Sequence, residues 1–186
     1  TMFGVYWFAV CCTGFYASII LLLVFLRSTG RGADVFTREH FHDLGKLLFA
    51  FGVVFWAYIG YSQYMLIWYA NIPIETAWFA PRQLGPWTWV SWLLILGHFG
   101  LPFVLLVTRW TKRWRGTLGL IAAWMVLMFL VDIYWLVMPT VPEAALMHAT
   151  SWDQLAKQAA QGTLPLGWNP SILNLTALVG ALGLLV

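Results

Sequence analysis

Long uncharged apolar runs separated by short polar segments set the pattern of this chain, at 3–26, 47–70, 87–107, 117–138 and 171–186. A helix of about 20 apolar residues crosses the ~30 Å hydrocarbon core of a bilayer, and the first four runs meet that length. No water is available there to satisfy backbone N–H and C=O groups, and the alternation of a barrel strand is missing. The runs are therefore predicted to be transmembrane helices. The expected fold is all-α, a polytopic transmembrane helix bundle in a single domain spanning 1–186. At 1.5 Å per residue the last run reaches only ~24 Å, and the chain opens at Thr1 directly before an apolar run. We expect these residues to be part of a longer polypeptide.

Local punctuation refines the limits. Asn169 before Pro170 offers an N-cap followed by proline at the first helical position. Thr37 is placed to cap a lead-in to the second span. The segment 151–162 reads as a short helix carrying Trp152, Leu155, Ala156 and Ala159 on one face, lying along the membrane surface or against a partner.

Composition removes the soluble alternatives. Hydrophobic residues make up 61% of the chain, aromatic residues 18% and charged residues 9%, against ~25% charged in soluble domains. Mean hydropathy is +0.78. The net charge of +3 is gathered beside apolar runs: Arg27, Arg31, Arg38 and Lys46 in one loop, and Arg109, Lys112, Arg113 and Arg115 in another. The other two loops carry Arg82 and Lys157 alone. Such clustering sets topology rather than a nucleic-acid site, and places loops 27–46 and 108–116 in the cytoplasm and loops 71–86 and 139–170 outside. Trp87, Trp89 and Trp92 at one boundary, with Trp110 and Trp114 at the other, fit interfacial belts. Cys11 and Cys12 are adjacent, a poor geometry for a disulfide, and read as packing residues.

Asp132 is the sharpest chemical signal. A carboxyl inside an apolar helix costs ~2.5–3.5 kcal/mol on insertion scales and is usually retained for function. It lies ~9 Å from the outer end of its helix, where it can hold or pass a proton. The structural alternative is a hydrogen bond that joins helices. His98 lies ~16 Å in from the start of its span at Trp87, on one face with Ser91 and Pro102 by helical period. A neutral imidazole there can relay protons, bond a quinone carbonyl or join two helices. Haem ligation lacks a second intramembrane histidine. In the second span Tyr58, Tyr61, Ser62, Met65 and Tyr69 share a face, Gln63 points elsewhere, and Ser62 and Gln63 fall at the depth of Asp132. Glu39, His40, His42 and Asp43 beside Lys46 have no defined metal geometry and read as a solvated helix entrance. Glu75 can draw protons to the outer mouth or pair with Arg82. No phosphate loop, nucleophile triad or covalent haem motif is present, so no catalytic or metal-binding residue is assigned.

The run EHFHDLGKLLFAFGVVFWAYIGYSQYMLIWYANIPIETAWF at 39–79, followed by GHFGLPF at 97–103 and DIYWLVMP at 132–139, closely resembles the C-terminal half of the ActF family, NrfD-like membrane subunits of bacterial alternative complex III. Ile74 stands where that pattern leads one to expect a second acid beside Glu75. The resemblance implies a roughly ten-span subunit of the bacterial inner membrane, with loops 71–86 and 139–170 periplasmic. It implies a quinol:cytochrome c (or equivalent acceptor) oxidoreductase, whose iron–sulfur and c-type haem subunits carry the electrons beside a sister NrfD-like subunit. This chain itself would hold no cofactor. Its expected role is proton conduction through Glu75, Asp132 and His98, with Tyr61, Ser62 and Gln63 as polar neighbours. The alternatives are a quinone site formed by His98, Tyr58 and Tyr61, or a scaffold among partner subunits and lipids.

Overall fold

The computed structural model describes residues 2–30, 36–83 and 87–139, together with Lys157 and Gln161. In chain order the elements are α1 (Phe3–Ser28), α2 (Arg38–Leu47), a π-helical segment π1 (Leu48–Phe55), α3 (Trp56–Ala70), α4 (Pro73–Gln83), α5 (Trp87–Leu93), a second π segment π2 (Leu94–Gly100), α6 (Leu101–Val107), α7 (Arg109–Arg113) and α8 (Arg115–Val137). Among the described residues the protein is helical throughout. Four continuous helices, Phe3–Ser28, Arg38–Ala70, Trp87–Val107 and Arg115–Val137, are long and apolar enough to cross a membrane. They match the first four expected runs, but the second begins earlier. The Thr37 backbone N–H donates to His40 Nδ1 at 3.3 Å and starts α2, which runs into π1 without a break because Phe41, His42 and Gly45 already face inward. The run at 171–186, the Asn169–Pro170 cap and the 151–162 helix lie outside the described residues, except that Gln161 N–H donates to the Lys157 carbonyl at 2.9 Å.

Helix α1 packs along α8, with π1 and α3 beside it. Its buried residues, Tyr6, Ala9, Val10, Thr13, Gly14, Ala17 and Ile20, recur at helical spacing. Two apolar clusters result. One gathers Ile20, Phe41, Leu48, Leu106, Leu118 and Met125, and the other gathers Tyr6, Val10, Trp56, Ile59, Leu94 and Leu136. Along α1, Thr13 falls between them. The outward faces are as apolar as the core, with Phe15 at 61% and Leu120 at 73% exposure. Water does not tolerate so large an apolar surface, whereas lipid does. Lipid supplies no hydrophobic drive between helices, so close packing at small residues must hold the bundle together. At Gly97 an added Cβ would sit 2.9 Å from Met128 Sδ.

The two basic loops meet at one end of the bundle. Arg113 reaches Glu39 at 3.4 Å, and Arg38, Glu39, Arg109 and Arg113 line one cleft with Trp110 and Trp114. Lys46 pairs with Asp43 at 2.9 Å. Among the described residues, no His, Cys, Asp and Glu side chains converge as a metal site requires. Of the tryptophans read as boundary belts, Trp89, Trp92, Trp110 and Trp114 face outward. Trp87 does not: it is buried, with its ring 5.5 Å from that of Tyr134.

Candidate functional site

Both sides of the site are shaped by π turns, which widen a helix by one residue and re-aim side chains and carbonyls. Pro102 explains the second. Lacking an N–H, it cannot bond the His98 carbonyl four residues back, so the ladder is already interrupted where π2 forms. Two bonds then pin α8 against this helix. Trp124 Nε1 donates to the Gly97 carbonyl at 2.9 Å, and Trp135 Nε1 donates to Ser91 Oγ at 2.8 Å.

The consequence is a fully buried polar cluster. Asp132 and His98 are each 0% exposed, and His98 Nδ1 lies 3.8 Å from Asp132 Oδ2. Counting from helix ends puts them ~7 Å apart in depth. They meet because side chains lean towards their own helix N-termini, and these two helices run in opposite directions. The carboxyl accepts from the Tyr6 hydroxyl at 2.8 Å through Oδ1 and from Trp56 Nε1 at 2.6 Å through Oδ2. Trp56 also stacks on His98, with ring centroids 4.1 Å apart and planes 6° from parallel.

On its other edge His98 Nε2 lies 3.2 Å from the Gly52 carbonyl in π1 and 3.4 Å from Thr13 Oγ1. A carbonyl can only accept, so a hydrogen bond to Gly52 requires the hydrogen on Nε2. That leaves Nδ1, which has no hydrogen-bond partner, as a lone pair turned to the carboxyl. The Thr13 hydroxyl donates to the same Gly52 carbonyl at 3.1 Å. Thr13→Val is expected to lower stability by about 1 kcal/mol by removing that bond, and Thr13→Ser to restore most of it. Thermal denaturation in detergent measures both, and equal loss in the two variants contradicts the assignment.

Beside the cluster lies a cavity of about 640 Å³, half of whose lining residues are aromatic. Tyr6 and Trp56, the two donors to Asp132, form part of its wall, so the carboxyl is one hydrogen bond from the cavity. At the far side is Arg82 of α4, itself 2% exposed. It donates to the Trp78 carbonyl at 2.5 Å and to the Leu136 carbonyl at 2.9 Å. Burial pushes its guanidinium down to about 10, which leaves it charged at neutral pH.

The residues expected to surround the pair are distributed differently. Gln63 is buried and Tyr61 is mostly exposed, and both line the cavity. Ser62 is half-buried. Tyr58 faces outward at 64% exposure and is not part of the cavity wall. Ser91 lines the cavity, whereas His98 lies behind Trp56, because π2 shifts the helical phase between them. None of Tyr61, Ser62 and Gln63 hydrogen-bonds to Asp132; Trp56, one to two turns earlier on α3, does. Glu75 lies in the first turn of α4 and forms no ion pair with Arg82. Tyr6, Thr13 and Trp56 are residues that sequence reasoning missed, and Arg82 reads from the sequence only as a loop charge or a partner for Glu75. The first three sit in runs where nearly every position is apolar or aromatic, and no periodicity singles them out. Arg82 carried a signal, as the lone basic residue of its loop.

No protein-family model matches the chain, and no curated protein matches it.

Proposed function

We propose that this chain is an integral membrane subunit of a quinol:cytochrome c (or equivalent acceptor) oxidoreductase of alternative complex III type, in which the Asp132–His98 pair holds and passes protons. The observation that carries the proposal is the 3.8 Å approach of His98 Nδ1, without a hydrogen-bond partner, to the Asp132 carboxyl. The approach needs to shorten by only about 1 Å to become a hydrogen bond. A proton can then rest on either the carboxyl or the imidazole. Tyr6, bonded to Asp132 and exposed to the cavity, connects the pair to the α4 end of the bundle. On this reading the basic loops face the cytoplasm of a bacterial inner membrane, and Glu75 lies on the periplasmic side. Iron–sulfur and haem subunits carry the electrons.

A quinone site is the second reading, favoured by the aromatic cavity, which Trp56 separates from His98. A ring bound there would stack on Trp56 and reach the imidazole only by displacing it, so the proton reading takes precedence.

The test is Asp132→Asn in the intact complex. Proton movement in proteoliposomes is expected to fall by about 10²-fold, the scale of a lost acid–base group, while quinol oxidation in detergent survives. Unchanged proton movement would remove the proposed role. Loss of quinol oxidation together with proton movement would favour the quinone reading.

A further inference from the structure

Arg82 presents a problem that the described chain leaves unsolved. A buried cation is costly unless it is paired, yet among the described residues no carboxylate lies within ion-pair distance of this one. A guanidinium has five N–H donors. Two are used, on the Trp78 and Leu136 carbonyls, and Nε is buried with no partner. Trp78 and Trp135 lie against the group, with ring centroids 3.6 and 5.2 Å from Cζ. These contacts orient the charge without neutralising it.

Its position indicates what completes it. The Leu136 carbonyl belongs to the last turn of α8, which ends at Val137, so the guanidinium sits at the depth of a helix end, where lipid headgroups lie. From there the cavity runs past Phe99 to Trp56 and Ala57, well down the bundle. Ile95 and Tyr61 at its margin are turned outward, on the faces that lipid would cover. The site therefore has a cation at headgroup depth above an apolar slot. A neutral quinone could fill the slot but would leave the charge uncompensated.

We propose that this cavity binds an anionic phospholipid, with its phosphate on Arg82 and one acyl chain lying between Trp135, Phe99 and Trp56. The proposal does not depend on the oxidoreductase reading.

The full-length protein, reconstituted in nanodiscs of equal parts phosphatidylglycerol and phosphatidylcholine and then transferred to mild detergent, is examined by native mass spectrometry. Phosphatidylglycerol should be retained over phosphatidylcholine by about 10-fold, as expected for a charge-assisted contact. Arg82→Gln should abolish the preference, and Arg82→Lys should keep part of it as a point charge. Ile95→Trp narrows the slot and leaves Arg82 intact, so it should lose the bound lipid as well. Equal retention of the two lipids by the unaltered protein overturns the proposal, whether or not Arg82→Gln folds. So does a preference that survives both Arg82→Gln and Ile95→Trp, or displacement of phosphatidylglycerol by added decylquinone.

Discussion

Asp132→Ala is expected to destabilise the protein by about 2 kcal/mol, and Asp132→Asn by less than about 1 kcal/mol. Interhelical hydrogen bonds in membranes average ~0.6 kcal/mol, with a maximum of ~1.7. The two short bonds from Tyr6 and Trp56 join three helices around a fully buried carboxyl. Alanine strands both donors, each of them buried in largely apolar surroundings. Asparagine keeps the shape. Its oxygen can accept from Trp56 Nε1, which only donates, and its amide can donate to the Tyr6 oxygen, which also accepts. The amide variant therefore removes the titrating group and retains the scaffold, which is why it is the appropriate variant for proton movement. Thermal denaturation in detergent, followed by near-UV circular dichroism, measures the difference. If alanine proves as stable as asparagine, the bonds to Asp132 do not hold these helices together.

The second large effect is expected at Gly52. An added Cβ would lie 3.0 Å from Leu48 Cδ1, 3.3 Å from Thr13 Oγ1 and 3.4 Å from Thr13 Cα. The leucine tip can move, but the α1 backbone at Thr13 can yield only by shifting the helix. Gly52→Leu should therefore cost about 3 kcal/mol, the upper end for overpacking. It should also separate the Gly52 carbonyl from both Thr13 and His98. Gly4 is the control, because nothing lies within 4 Å of its added Cβ, and Gly4→Leu should change stability by less than about 0.5 kcal/mol. Similar denaturation temperatures for the two variants would show that the close approach of α1 to π1 is not a packing constraint.

Much of the architecture was legible because the bilayer imposes a length and forbids unsatisfied backbone. The first four apolar runs consequently reappear as four long helices, with Thr37 and His40 at the start of the second. Asp132 and His98 were legible for the opposite reason, since each violates the composition around it. Their partnership was not. Distance along a helix gives depth only if helix ends are level and the ladder is regular, and π1 and π2 break that regularity beside the site. The Tyr58–Tyr69 stripe misled on proximity: an aromatic hydroxyl reads alike whether it faces lipid or a neighbour, and most of that stripe faces outward.

Four long apolar helices could be read from the amino-acid pattern, three of them to within a few residues at both ends and the second with a start nine residues too late, as could a carboxyl and an imidazole held inside them. Each follows from free energies that a single segment meets alone. That the two groups face each other, that Tyr6 and Trp56 bind the carboxyl, and that Arg82 overhangs a cavity beside them came from how the helices pack. In a chain whose faces are almost equally apolar, nothing local marks the inward side. The choice is made by close packing at small residues and by the few polar groups that must find one another.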